Sequence, residues 1–215
     1  MTRPIDKTQW LQPPILTKLG LSTEVLQNAV TYAYTTLDLI DTALTKNDGP
    51  KMAELLELAN LSAVLGNLVR AGVAKASDGR FVANGPHKYP DLLSLDPRFG
   101  DLEIKVALEE NKPKGHLVKP GPHLIVRYVL GSDSGDYTSG KDRRGNTIWI
   151  WELRLGVLEE AHFNVSNTAG DSGKTAVINA RGLNELSVVF ADLKKYPGKH
   201  SGANYRTASR LFEQD

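Results

Sequence analysis

Residues 89–106 read YPDLLSLDPRFGDLEIKV, and the rest of the chain is arranged around them. From Asp101 to Val106 polar and apolar residues alternate strictly. On an extended strand Asp101, Glu103 and Lys105 therefore share one face, while Leu102, Ile104 and Val106 take the other and can enter a core. Pro90-Asp91 precedes Glu103, with Asp91 twelve positions before it. The intervening Asp96-Pro97-Arg98-Phe99-Gly100 is turn material that lets two short strands fold against each other. If Asp91 arrives beside Glu103 from a neighbouring strand, two carboxylates and one ammonium stand together. Such a cluster suits Mg²⁺, which prefers oxygen ligands, keeps several waters and needs only one or two protein carboxylates. Water held by such an ion gives up its proton more readily. The plain alternative is an edge strand whose charged face meets water.

These properties suit phosphodiester hydrolysis, in which charge on the phosphoryl oxygens must be neutralised and a water activated. Pro90-Asp91 followed by Glu103-x-Lys105 resembles the signature of the PD-(D/E)xK nucleases, the fold of most type II restriction endonucleases. The resemblance implies that Asp91 and Glu103 bind Mg²⁺, with the Ile104 carbonyl as an extra oxygen ligand. It implies that Lys105 is catalytic, orienting or deprotonating the water and offsetting charge in the transition state. It covers the residue order from about 80 to 130. A chain of 215 residues without an ATPase or methyltransferase region resembles the type II kind. That implies a homodimer on a short palindromic site in double-stranded DNA, with no nucleotide cofactor.

The length fits a single domain, 1–215, with a helical N-terminal part over 1–72 and a sheet-containing catalytic part over 73–215. The expected class is α/β: a mixed central sheet flanked by helices, restriction-endonuclease-like on the resemblance. With no cysteine there is no disulfide and no thiolate metal site. No apolar run approaches a membrane span, and MTRPIDKTQW lacks a signal peptide's hydrophobic region, so the expected location is the cytoplasm, away from membranes. Net charge is +1, but it is unevenly spread. Residues 1–60 carry five Lys/Arg against seven Asp/Glu, whereas residues 111–146 carry seven against three and residues 174–210 seven against two. Basic blocks of this kind can form the footprint that a phosphate backbone requires, and solvated surface lysines look the same.

Before the motif the reading is helical. Ser22 or Thr23 caps a helix to about Leu44, with Leu26, Val30, Ala33, Leu37, Ile40 and Leu44 in a stripe that serves a core or a dimer. Pro50 opens a second helix, and a third runs from about Leu61 to Ala71, stopped by Gly72. Val73–Ala76 and Arg80–Ala83, around Ser77-Asp78-Gly79, then predict a hairpin. Helix, helix, hairpin is also the order of a winged helix-turn-helix, so a non-catalytic DNA-binding regulator is the rival from another class; a repair or junction nuclease of the same fold is a second alternative. In the nuclease reading Arg80–Ala83 is the first sheet strand, and Glu54 or Glu57 is available as a further acid.

After the motif, residues 109–122 form a polar loop carrying Lys112, Lys114, His116 and Lys119. His123–Leu130 predicts a central strand, and Thr147–Leu158 a second with core tryptophans. Between them residues 131–146 form a long loop with Lys141, Arg143, Arg144 and Asn146, side chains suited to phosphates or to guanine and adenine edges. Lys112, Lys114, Lys119, Lys141, Arg143, Arg144 and Asn146 are thus the expected DNA contacts. Further strands are expected over 161–166 and 176–178, and an amphipathic helix over 182–195, followed by a basic tail. Two motifs fail on inspection. Gly173-Lys174-Thr175 lacks the glycine that a phosphate-binding loop needs at position 168, and Gly170-Asp171-Ser172-Gly173 lacks a histidine and buried Asp placed beside Ser172.

Overall fold

Ser22 opens the long N-terminal helix as its sequence predicts: its Oγ accepts the Val25 N–H at 3.2 Å. This helix, α2 (Thr23–Thr45), follows the single turn α1 (Ile15–Lys18) and buries Leu26, Val30, Ala33 and Leu37. Toward its end the stripe leaves the core, since Ile40 is 36% exposed. The helix begun near Pro50 lasts one turn, α3 (Met52–Leu55), and the chain is extended at Leu56. The computed structural model describes residue 3 and residues 5–85, 88–166 and 175–212. The Gly170–Lys174 stretch considered above lies outside the described residues.

Helix α4 (Leu58–Ala76) corrects the sequence reading at both ends. Gly72 does not stop it. A β-carbon there would lie 2.8 Å from the Ala29 Cα, so Gly72 lets the backbones of α2 and α4 approach closely. Val73 is fully buried in the same seam. Val73–Ala76 are therefore the last helical turn, and the helical part extends to Ala76. The Ser77 Oγ takes the Phe81 N–H at 3.0 Å, and Asp78 and Gly79 adopt positive φ, turning the helix into a strand. No wing hairpin forms there. Strand β1 (Phe81–Ala83) pairs instead with β2 (Leu92–Ser94), antiparallel.

The main sheet runs in the order β3 (Glu103–Leu108), β5 (Gly121–Gly131), β6 (Thr147–Leu158), β9 (Ser187–Ala191). It is mixed: β3 and β5 are parallel, and β5/β6 and β6/β9 are antiparallel. One face, with Ile104, Leu124, Val126, Leu153 and Leu155, joins α2 and α4 in the principal core. A small sheet of β4 (Lys114–Gly115), β8 (Thr175–Ile178) and β7 (Phe163–Ser166) belongs to the other side. There Ile125, Leu158, Ile178, Leu183 and Leu186 form a second apolar cluster. The architecture is mixed α/β with helices flanking the sheet, and no helix among the described residues is long and apolar enough to cross a membrane.

The helix expected over 182–195 is replaced by a short α5 (Ala180–Glu185) and then β9, with α6 (Ala203–Arg210) in the tail. The Asn179 side chain caps α5 at the Gly182 N–H, 2.9 Å away. Val188, Val189 and Phe190 are β-formers, and β6 offers them an open edge, so pairing overrides the helical spacing. The outer edge of β9 is met in turn by the N-terminal segment. The Leu11 N–H donates to the Val189 carbonyl at 3.0 Å, and the Trp10 and Phe190 rings pack with centroids 4.8 Å apart.

Candidate active site

The two halves of the motif meet at the outer edge of β3. Leu92 and Leu102 exchange both backbone hydrogen bonds, at 2.9 and 3.0 Å. One step along, the next outward-facing amide is that of Ile104, and it donates to the Asp91 Oδ2 at 2.8 Å. In an extended strand the N–H and C=O of one residue point to the same edge. The Ile104 carbonyl therefore lies on the Asp91 side of β3.

Glu103 and Lys105 flank that amide and leave the opposite face from Ile104, toward the smaller sheet. Glu103 is 2% exposed and Lys105 half-buried, whereas Asp101 is exposed, so the charged face turns inward only from Glu103 onward. The Glu103 Oε1 accepts from the Lys105 ammonium and from the Lys119 ammonium, the latter at 2.9 Å. Lys105 passes beside Gly115 of β4, where a β-carbon would stand 3.5 Å from Lys105 Cε, in ordinary contact. Lys119 also sits 4.5 Å from the centre of the Tyr89 ring, whose hydroxyl donates to the Pro120 carbonyl at 2.9 Å.

Electrostatics separate the two acids. Burial pushes Asp91 above the ordinary carboxylate range, and nearby Glu103 adds to this; the Ile104 amide and both lysines only partly oppose it. Burial also pushes Glu103 up, but Lys105 and Lys119 outweigh it and hold the group below its usual value. The four charges cancel when all are ionised.

Whether these residues fit a divalent cation can be judged from the donors. Glu103 Oε2 is buried and has no hydrogen-bond partner among the described residues, an arrangement that a positively charged ligand would satisfy. Asp91 and the Ile104 carbonyl add oxygen donors at the adjoining edge. Among the described residues no three Asp, Glu or His side chains converge as a ready-made cage. The set fits an ion that retains several waters, as Mg²⁺ does.

The expected DNA contacts divide into distinct groups. Lys112, Lys114, Lys141 and Arg143 are exposed, and Asn146 is half-buried. Arg144 forms a bidentate pair with Glu109, at 2.9 and 3.0 Å, so its guanidinium is engaged within the fold. Lys119 lies on Glu103, inside the cluster and not along a groove wall. Glu54 is exposed and caps the Lys51 N–H at 3.0 Å, and Glu57 is exposed at the start of α4, so neither acid joins the site.

Sequence reasoning missed His123, which is wholly buried and in register with Glu103 across the parallel pair. It also missed that Arg127, Glu152 and Arg154 continue this face as a buried ionic network, with Glu152 accepting from Arg127 at 3.1 Å and from Arg154 at 2.8 Å. Period-two spacing signalled that these residues share faces, but only strand order shows that they share the same one. A cavity of about 430 Å³ lies elsewhere, lined by Arg3, Asp38, Lys51, Asp133 and Trp149, and none of the motif residues contributes to it. No protein-family model matches the chain, and no curated protein matches its sequence.

Proposed function

We propose that the chain is a divalent-metal-dependent endonuclease of the PD-(D/E)xK type, restriction-endonuclease-like in fold, acting on double-stranded DNA. The observation that carries this reading is the Asp91–Ile104 hydrogen bond. It brings an acid thirteen residues away in sequence to the Ile104 amide, between Glu103 and Lys105. β1 and β2 form a two-stranded sheet of their own, not the first strands of the main sheet, and Leu92 bridges to Leu102 so that Asp91 reaches β3, the edge strand of the mixed sheet that bears Glu103 and Lys105.

Asp91, Glu103 and the Ile104 carbonyl are the groups that would hold the ion, which supplies charge neutralisation at phosphoryl oxygens and a more acidic water. Hydrolysis forms one bond from phosphorus to the water oxygen and breaks one ester bond. A proton leaves the water, and another reaches the departing oxygen. Lys105 orients the water and offsets the negative charge that builds on the phosphoryl group. Lys119 shares the Glu103 oxygen with Lys105 and sets how firmly that ammonium is held. The exposed Lys112, Lys114, Lys141 and Arg143 supply contacts to the DNA backbone. Type II action on a short palindrome calls for a homodimer, each subunit cutting one strand.

The test is cleavage of duplex DNA of known sequence with Mg²⁺, comparing the wild type with Asp91→Ala and Lys105→Ala. Discrete fragments from the wild type, lost in both variants while DNA binding persists, support the reading. Normal cleavage by both variants removes the site assignment. Binding without cleavage by the wild type points to a regulator, and cuts that depend on DNA structure point to a repair or junction nuclease.

A further inference from the structure

His123 and Glu103 are register partners across the parallel β3/β5 pair, so their side chains leave the same face of the sheet on strands about 4.8 Å apart. Each is almost fully enclosed, His123 at 0% and Glu103 at 2% exposure. Each also ends in an unsatisfied atom: His123 Nε2 and Glu103 Oε2 are buried without a hydrogen-bond partner among the described residues. Buried polar atoms are usually satisfied by protein, water or an ion, and one cation shared by these two neighbours would satisfy both.

The other ring nitrogen fixes what His123 offers. Its Nδ1 lies 2.9 Å from the Gly121 carbonyl, which can only accept. Nδ1 therefore carries the proton, and the lone pair is on Nε2. An imidazole whose one N–H is held by a backbone carbonyl is the usual arrangement of a metal-binding histidine.

We propose that His123 Nε2 and Glu103 Oε2 bind the same divalent cation, giving the site one nitrogen donor and a preference for Co²⁺ over Mg²⁺. This rests on the metal-dependent reading above and deepens it. A nitrogen donor favours later first-row ions, whereas a site of carboxylates, carbonyls and water favours Mg²⁺. Asp91, on the Ile104 amide, and the Ile104 carbonyl stay at the adjoining strand edge as the oxygen donors named above.

The experiment is a titration of the wild type, His123→Gln and Glu103→Gln with Co²⁺ and with Mg²⁺ in the absence of DNA. Affinity is read by calorimetry, and proton NMR follows the Co²⁺-loaded protein. A Co²⁺-bound histidine with a protonated Nδ1 shows a strongly shifted, solvent-exchangeable resonance. The expected result is that resonance in the wild type, its loss in both variants, and Co²⁺ binding at least about tenfold weaker in His123→Gln. If Glu103→Gln loses Co²⁺ while His123→Gln binds it unchanged and the wild type shows no such resonance, the histidine is no ligand, although the metal site stands. If neither variant alters Co²⁺ binding, the metal-dependent reading falls, and this inference with it. Should His123→Gln fail to fold, the presence or absence of the wild-type resonance, checked against Glu103→Gln, decides.

Discussion

Asp91 accepts the Ile104 backbone N–H at 2.8 Å, one strand step from where Leu92 and Leu102 exchange backbone hydrogen bonds. A side chain takes the place of a strand partner and, in doing so, brings its charge to the middle of the motif. Asp91→Asn keeps an oxygen acceptor for that amide, whereas Asp91→Ala strands the amide at a cost of about 1–3 kcal/mol. Urea denaturation should rank Asn well above Ala, with cleavage absent in both.

The same position gives a pH signature. The folded pKa of Asp91 is raised, chiefly by burial, so the charged form is less favourable in the folded chain than in the unfolded one. Wild-type stability is then lost as pH rises through that folded value, and Asp91→Asn escapes the loss. The variant should be the more stable at pH 7. Its advantage should vanish below about pH 3.9, the unfolded value, where wild-type Asp91 is protonated in both states.

Glu103 should behave oppositely. Despite the upward push of burial, Lys105 and Lys119 hold its folded pKa down, so its contribution is present above about pH 4.3 and lost as pH falls through the folded value. Glu103→Gln leaves two ammonium groups facing a neutral amide. Its deficit relative to wild type should be large at pH 7 and should shrink on acidification, as followed by thermal melts across pH.

Gly72 lies at a close approach of α2 and α4, with a β-carbon meeting Ala29 Cα at 2.8 Å. Gly72→Val forces the helices apart and should destabilise the fold by about 1–3 kcal/mol, measured by urea denaturation.

Within the loop after β5, two kinds of basic residue should respond differently. Lys141 and Arg143 are exposed, and replacing either by alanine should reduce the salt dependence of DNA binding by about one unit of slope. Arg144 is paired with Glu109, so Arg144→Ala should cost up to about 1 kcal/mol of stability and leave the slope nearly unchanged. Binding isotherms at several salt concentrations distinguish these outcomes.

Local patterns made much of this fold legible. The Ser22 cap, the apolar stripe of α2, the alternation in β3 and the β-forming runs of β5 and β6 could all be read from the sequence, and Asp91 does reach the Glu103-x-Lys105 segment. Three features could not. Gly72 has the composition of a stop, and only the neighbouring helix shows that it is a contact. The 182–195 stretch has helical spacing, and only the free edge of β6 makes its second half a strand. His123 and Lys119 carry no local signature, because it is the parallel register and the return of the 109–120 loop that bring them to Glu103.

Trp10 and Leu11 lie at the opposite edge of the sheet from the motif, against β9. They hem the last strand, whose outward N–H and C=O groups would otherwise offer a template to any extended chain. A version beginning after Leu11 should emerge from a sizing column as multimers stitched rim to rim, even though every residue around Glu103 is intact.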